Sequence, residues 1–177
     1  MPDKFRDSAF LDRLHFYISG WEVEIIRGEM FSCGYGFVVD YLAEILRAMR
    51  NYDYSDRYKD HFSLSSDIST RDRDGIEKTF SGLMKIIFPQ GGATKEETEE
   101  ILKFAIEGRK RVKDQLMRID STYANVRFTY QDASGQSRSV RTLEEEEYPN
   151  IYNKTVGETK GEIKKANSAQ EEILALP

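Results

Sequence analysis

Residues 94–119, TKEETEEILKFAIEGRKRVKDQLMRI, decide the fold of this chain. Thr94 and Glu97 form a capping box, in which a hydroxyl and a carboxylate each satisfy an orphan amide of the first helical turn. Acidic residues follow this cap and basic residues lie further along, as the helix dipole favours. The stretch predicts one long helix ending near Ile119, with Gly108 marking a bend or a close contact. Its buried face is predicted to consist of Ile101, Leu102, Phe104, Ala105, Val112 and Leu116.

Two further amphipathic helices are predicted upstream of the long helix. Between Tyr35 and Tyr52 the apolar residues recur at three- and four-residue spacing, with charged residues opposite them. A second such helix is predicted within 72–88, and the proline and glycines of 89–92 end it. The polar residues from 63 to 70 are predicted to form a loop. The apolar positions of the two helices are Val38, Val39, Leu42, Ile45, Leu46 and Met49, then Ile76, Phe80, Leu83, Met84 and Ile87.

The apolar period changes from helical to alternating after Asp120. Residues 123–130 and 137–143 fit two strands, and the polar residues 131–135 between them fit a turn, so a β-hairpin is predicted. Four consecutive glutamates from Glu144 then begin a polar tail. The predicted fold is therefore mainly α with a small β-hairpin, organised as an N-terminal segment 1–33, a helical domain 34–143 and a tail 144–177.

Composition excludes several classes of function. The formal net charge of -5 disfavours a dedicated nucleic-acid-binding protein. A single cysteine, Cys33, excludes an internal disulfide, and with two distant histidines it predicts no metal site. We expect the Cys33 thiol to be buried or half-buried. No apolar run reaches the ~20 residues that span a bilayer, so a cytoplasmic protein without a membrane partner is expected.

Several segments, taken in order, resemble one family of ring-forming ATPases. Residues 10–15 (FLDRLH), 18–22 (ISGWE) and 35–47 (YGFVVDYLAEILR) are similar to the end of the AAA+ core and the start of its helical lid in the Lon-like ATPases of BREX phage-defence systems, the BrxL family. Residues 70–72, 78–85, 88–89, 94–97, 107–116 and 128–130 resemble the lid helices and the strand beyond them. The similarity covers about residues 7–130.

This resemblance implies an ATP-driven hexameric ring that acts on DNA in defence against phage. Arg13 falls where the family has its arginine finger, the residue that contacts ATP held by the neighbouring subunit. Arg71 or Arg73 falls near the position of a sensor arginine in AAA+ lids. The alternative for Arg13 is a helix-terminal arginine paired with Asp12 or Glu22, and for Arg71 and Arg73 a solvated helix start.

The chain also departs from a complete ATPase of this family. It contains no glycine-rich loop ending in Gly-Lys-Ser or Gly-Lys-Thr, and residues 91–95 do not replace one because they follow a helix. Ser168 lies in the polar tail and does not suggest the Ser-Lys dyad of Lon proteolysis. We therefore expect a truncated or split subunit that binds no cofactor alone, whose partners are intact or complementary AAA+ subunits supplying the site for ATP and magnesium.

Two alternatives compete with this interpretation. Helices followed by a hairpin also fit a winged-helix-like DNA-binding module, with phosphate contacts from basic residues of the long helix and the hairpin. The residues concerned are Arg109, Arg111, Arg127 and Arg138. The second alternative is a nonfunctional gene remnant.

Overall fold

A computed structural model of the protein describes residues 7–36, 38–123 and 125–147. Two long helices that pack against each other form the centre of its larger unit. Helix α3 spans Thr70–Ile87 and α4 spans Lys95–Ile119. The chain divides into two units, residues 1–140 and 141–177, and both helices belong to the first.

The ends of both helices are fixed by local hydrogen bonds. At the start of α4, the Thr94 hydroxyl accepts from the Glu97 amide at 3.2 Å and the Glu97 carboxylate accepts from the Thr94 amide at 2.8 Å. The predicted capping box is thus confirmed. Ser69 caps α3, and the turn after α3 contains Gly91 at a φ of 73°, a left-handed conformation that suits glycine.

A small antiparallel sheet of three strands in the order β1-β2-β3 covers part of the helix pair, and it contains the predicted hairpin. The hairpin consists of β2 (Thr129–Asp132) and β3 (Ser137–Ser139). Strand β1 (Phe62–Leu64) pairs with β2, so that Leu64 lies opposite Tyr130. The sequence predicted a loop from residue 63, which is wrong for Ser63 and Leu64, because a three-residue strand carries too little periodicity to be recognised.

The main hydrophobic core lies between the sheet and the two long helices. Tyr58 packs edge-on against Phe80 with ring centroids 5.4 Å apart, and Phe62 packs likewise on Tyr130 at 5.8 Å. The predicted apolar faces of α3 and α4 are confirmed at most positions, while Ile87 and Phe104 are about half exposed. The core comprises Tyr54, Tyr58, Phe62, Leu64, Ile68, Ile76, Phe80, Met84, Ile101, Leu102, Ala105, Ile106, Phe128, Tyr130 and Val140.

The described residues before strand β1 form two helices and three 3-10 turns. Helix α1 spans Ser8–Leu11 and α2 spans Val39–Met49, with 3-10 turns at Gly20–Glu22, Gly28–Met30 and Arg57–Asp60. The predicted helix between 35 and 52 is thus confirmed, although none of its described residues is buried. Cys33 is exposed, contrary to expectation, because it lies in this sparsely packed region.

The second unit is described only over residues 141–147. There α5 (Leu143–Glu147) begins at a second capping arrangement, in which the Thr142 hydroxyl accepts from the Glu145 amide at 3.2 Å. The remainder of the predicted tail lies outside the described residues. Among the helices of 7–36, 38–123 and 125–147, none has the length and apolar character that crossing a bilayer requires.

Candidate functional site

Arg13 lies on the surface just after α1. Asp7 caps this helix by accepting from the Ala9 amide at 2.9 Å, and the chain leaves the helix at Asp12. The Arg13 side chain is exposed, and its Nη1 donates to the Ala9 carbonyl at 2.7 Å. The two carboxylates that the sequence offered as alternative partners bind other arginines, since Asp12 pairs with Arg71 and Arg109, and Glu22 with Arg111.

Asp12, the neighbour of Arg13, is buried and carries a stabilised negative charge. Its Oδ1 accepts from Arg109 Nη2 at 2.7 Å, and its Oδ2 accepts from Arg71 Nη1. Burial alone would raise the pKa of Asp12, but the hydrogen bonds and charges of Arg71 and Arg109 outweigh it, so the pKa lies below its usual value. Asp12 is therefore ionised at neutral pH.

Arg109 joins three separate parts of the chain through one guanidinium group. Its Nε donates to Asp72 Oδ1 at 2.8 Å, and its Nη2 lies 2.7 Å from both Asp12 Oδ1 and Asp72 Oδ1. Its Nη1 donates to the backbone carbonyls of Asp12, at 3.0 Å, and Leu14. The side chain is fully buried, which a permanently charged group tolerates only with such a set of acceptors.

Asp72 connects this cluster to the start of α3. It is fully buried, and its Oδ2 accepts from the Ser69 hydroxyl at 2.6 Å and lies 3.6 Å from Lys113 Nζ. The Lys113 ammonium also lies 5.0 Å from the centroid of the Tyr123 ring. The cap of α3 and the middle of α4 are thus held by the same carboxylate.

An aromatic contact fixes the segment just beyond Leu14. The Phe16 ring lies so close to Gly108 that a Cβ at this glycine would be 2.0 Å from a ring carbon. The same ring packs on Phe104, with centroids 5.0 Å apart. Gly108 therefore serves close packing, which was one of the two roles that the sequence suggested for it.

The two sensor candidates occupy different environments. Arg71 has a side chain that is 57% exposed, and it contacts the carboxylate of Asp12 beside Arg13. Arg73 is half-buried and donates from Nη2 to the Ser65 carbonyl at 3.1 Å, which fixes the approach to α3. The structure therefore brings Arg71, and not Arg73, next to the segment that carries Arg13.

The basic residues of the DNA-binding alternative do not form one surface. The prediction that Arg109 contacts phosphate is wrong, because its side chain is fully buried. Arg111 is also buried, and it pairs with Glu22 and Glu107 at 2.5 and 2.7 Å. Arg138 contacts Glu99 and Asp132, while Arg127 is exposed. Only Arg127 and Arg138 of the four residues therefore stay as predicted phosphate contacts.

The sequence analysis did not predict that Asp12, Asp72 and Arg109 form a buried cluster at the centre of the site. One signal was available, because Arg109 occupies the apolar stripe of α4 defined by Leu102, Ala105, Val112 and Leu116. A charged residue on a buried stripe requires a buried partner. The identity of that partner was not readable, because Asp12 is 97 residues away in sequence.

Comparison with known proteins identifies relatives of this chain. Residues 1–129 match the model of the family described as "Lon-like protease BrxL-like, ATPase domain". The chain is 42% identical over 141 residues to the Lon-like protease BrxL of Bacillus cereus (strain H3081.97), covering 79% of this chain and 21% of that protein. It is 40% identical over 132 residues to the Lon-like protease BrxL of Escherichia coli O9:H4 (strain HS), covering 74% and 19%.

The chain therefore spans about one-fifth of the length of the curated relatives that it matches. The matched residues 1–129 include Arg13, both sensor candidates and the whole cluster around Arg109. This chain belongs to the BrxL family, within the part that corresponds to its ATPase domain.

Proposed function

We propose that this chain supplies the lid and the arginine finger of a BrxL-type ATPase ring, with Arg13 contacting ATP bound by the neighbouring subunit. The observation that supports this role most directly is the placement of Arg13. Its side chain is exposed, while both residues that flank it are fixed through their carbonyls by Arg109. A permanently charged planar group on a fixed backbone suits contact with a phosphate.

In this role the Arg13 guanidinium stabilises the negative charge that develops on the transferred phosphoryl group. The phosphate-binding loop and the magnesium ligands come from outside these 177 residues, since no loop ending in Gly-Lys-Ser or Gly-Lys-Thr occurs among them. In this arrangement Arg13 acts in trans, on ATP held by the neighbouring subunit.

Arg71 is our choice for the sensor arginine. Its side chain is more than half exposed, and its contact with Asp12 places it beside the Arg13 segment. Arg73 instead contributes to folding through its hydrogen bond to the Ser65 carbonyl. Replacing Arg71 should therefore impair nucleotide contact more than replacing Arg73.

The proposed function is tested by mixing this chain with the full-length Bacillus cereus relative and measuring the steady-state rate of ATP hydrolysis. Mixtures containing Arg13→Ala should hydrolyse ATP more slowly than mixtures containing the unchanged chain, because arginine fingers contribute about a thousandfold or more at each affected interface. Arg27→Ala is the matched control, since Arg27 is an exposed arginine of the same N-terminal region.

Size-exclusion chromatography establishes that each variant enters the mixed assembly. Equal hydrolysis rates for the unchanged chain and Arg13→Ala, with equal incorporation, would contradict the finger role. A similar loss with Arg27→Ala would show that the effect is not specific to Arg13.

A further inference from the structure

The backbone on both sides of Arg13 is held by one side chain from the lid helix α4. Arg109 Nη1 donates to the carbonyl of Asp12, which precedes Arg13, and to that of Leu14, which follows it. The same guanidinium binds the Asp12 carboxylate at 2.7 Å. Arg13 thus lies between two points that are fixed from α4.

The fixing group is itself held rigidly. Arg109 is fully buried and pairs with Asp72, which is also fully buried and bonded to the cap of α3. A Cβ at Gly75 would lie 3.2 Å from Arg109 Cδ, so α3 closely approaches the stem of this side chain as well. The guanidinium is therefore positioned by both long helices.

A second contact from α4 restrains the same segment two residues further on. The Phe16 ring occupies the space that a side chain at position 108 would need, and it also packs on Phe104. Residues 12–16 are therefore attached to α4 by polar contacts at one end and by packing at the other.

We infer that Arg109 is a positioning residue that fixes the Arg13 backbone to the lid, so that the finger and the lid move as one body. This inference rests on the proposed function of Arg13. Because rate enhancement by a charged donor depends on ångström-level placement, loosening the segment should lower kcat without changing the KM for ATP.

Arg109→Lys is the most informative variant. Lysine keeps the positive charge between the two buried carboxylates, but one ammonium group cannot also hold both carbonyls. Arg57→Lys is the matched control, because Arg57 is a half-buried arginine of the same unit, stacked 3.5 Å from the centroid of Tyr54. Circular dichroism and thermal unfolding establish that each variant is folded.

The first measurement is amide hydrogen exchange of the whole chain. The amides of Arg13 and Leu14 donate to the carbonyls of the preceding turn, and the carbonyls of Asp12 and Leu14 accept from Arg109. In Arg109→Lys both amides should exchange about tenfold faster or more, because the segment that carries them opens more easily once the charged hydrogen bonds to its carbonyls are lost. The amides of Leu102 to Ile106 in the core of α4 should be unchanged, as should all these amides in Arg57→Lys. Unchanged exchange at Arg13 and Leu14 would overturn the inference.

The second measurement is ATP hydrolysis in mixtures with the full-length Bacillus cereus relative. Arg109→Lys should lower kcat at least tenfold at an unchanged KM for ATP, as Arg13→Ala does, and Arg57→Lys should change neither. If Arg13→Ala lowers kcat and Arg109→Lys does not, the positioning role is wrong while the proposed function stands. If Arg13→Ala has no effect, the proposed function fails and the positioning role with it.

Asp12→Asn provides a second variant should Arg109→Lys fail to fold. It keeps an oxygen that can accept from Arg109 but removes the charge that attracts Arg71 and Arg109. It should give a smaller increase in exchange at Arg13 and Leu14 and a smaller decrease in kcat. Exchange equal to that of the unchanged chain would contradict the inference.

Discussion

Helices α2 and α3 have similar amphipathic sequences but different surroundings. In α3 the apolar stripe is buried, with Ile76 and Phe80 at 0% exposure. In α2 no described residue is buried, and Leu42 and Val39 are 42% and 75% exposed. The comparison teaches that an apolar stripe predicts a helix reliably, whereas the surface that covers the stripe is decided elsewhere in the fold or by another chain.

The largest loss of stability should come from a substitution in the buried stripe of α3. Phe80→Ala removes a fully buried ring from the core and should lower the free energy of unfolding by about 3–5 kcal/mol. Ile86→Ala is the control on the same helix, because Ile86 is 62% exposed. Urea denaturation of both variants measures the difference, and equal losses would show that the assignment of the buried face of α3 is wrong.

A somewhat smaller loss of stability is expected for a substitution at the contact between the N-terminal segment and α4. Gly108→Ala would force a methyl group into the Phe16 ring and should destabilise the chain by up to about 3 kcal/mol. Gly82→Ala is the control, because nothing lies within 4 Å of a Cβ there, and alanine should stabilise α3 slightly. Combining Gly108→Ala with Phe16→Ala should recover part of the loss in a double-mutant cycle.

The ion pairs of Asp12 predict that Asp12→Asn lowers the free energy of unfolding by about 2 kcal/mol at pH 7, and that this loss depends on pH. The folded-state pKa of Asp12 lies below the unfolded value near 3.8, so the unfolded chain binds the proton first as the pH falls. The stabilisation is therefore complete above pH 3.8 and is lost as the pH falls through the folded-state pKa. Urea denaturation at pH 7 and pH 3 should show the two proteins converging, and a constant difference would contradict the shifted pKa.

The smallest change in stability is expected for a substitution in the exposed stripe of α2. Leu42→Ser changes a side chain of α2 that is 42% exposed, and it should alter the free energy of unfolding by less than about 0.5 kcal/mol. Asp40→Ser, on an exposed position of the same helix, is the control. A loss approaching that of Phe80→Ala would mean that α2 packs against the core of this chain.

Much of the fold was predictable because its main signals are local. The capping box at Thr94 and the apolar stripe of α3 depend only on residues a few positions apart, and so does the turn at Gly135 between β2 and β3. Strand β1 was missed because its partner, β2, lies more than sixty positions away and is recognised only through pairing.

The candidate site was predictable in one respect only. The resemblance indicated Arg13 and left Arg71 and Arg73 as alternatives, but the residues that contact the Arg13 segment and Arg71 lie on three distant segments. Arg109 was predicted as a phosphate contact within the DNA-binding alternative, because basic residues in the second half of a helix usually face water. Its position on the apolar stripe of α4 was the better guide.

The contacts of Arg109 also constrain the order in which this protein folds. Helices α3 and α4 are separated by a short turn and can pair early, whereas the Arg109–Asp12 contact closes a loop of 97 residues. The guanidinium has no fixed location until both helices are in place. Residues 8–16 should consequently dock last during folding and detach first during unfolding, so kinetic measurements should reveal them as the late-forming part of the unit.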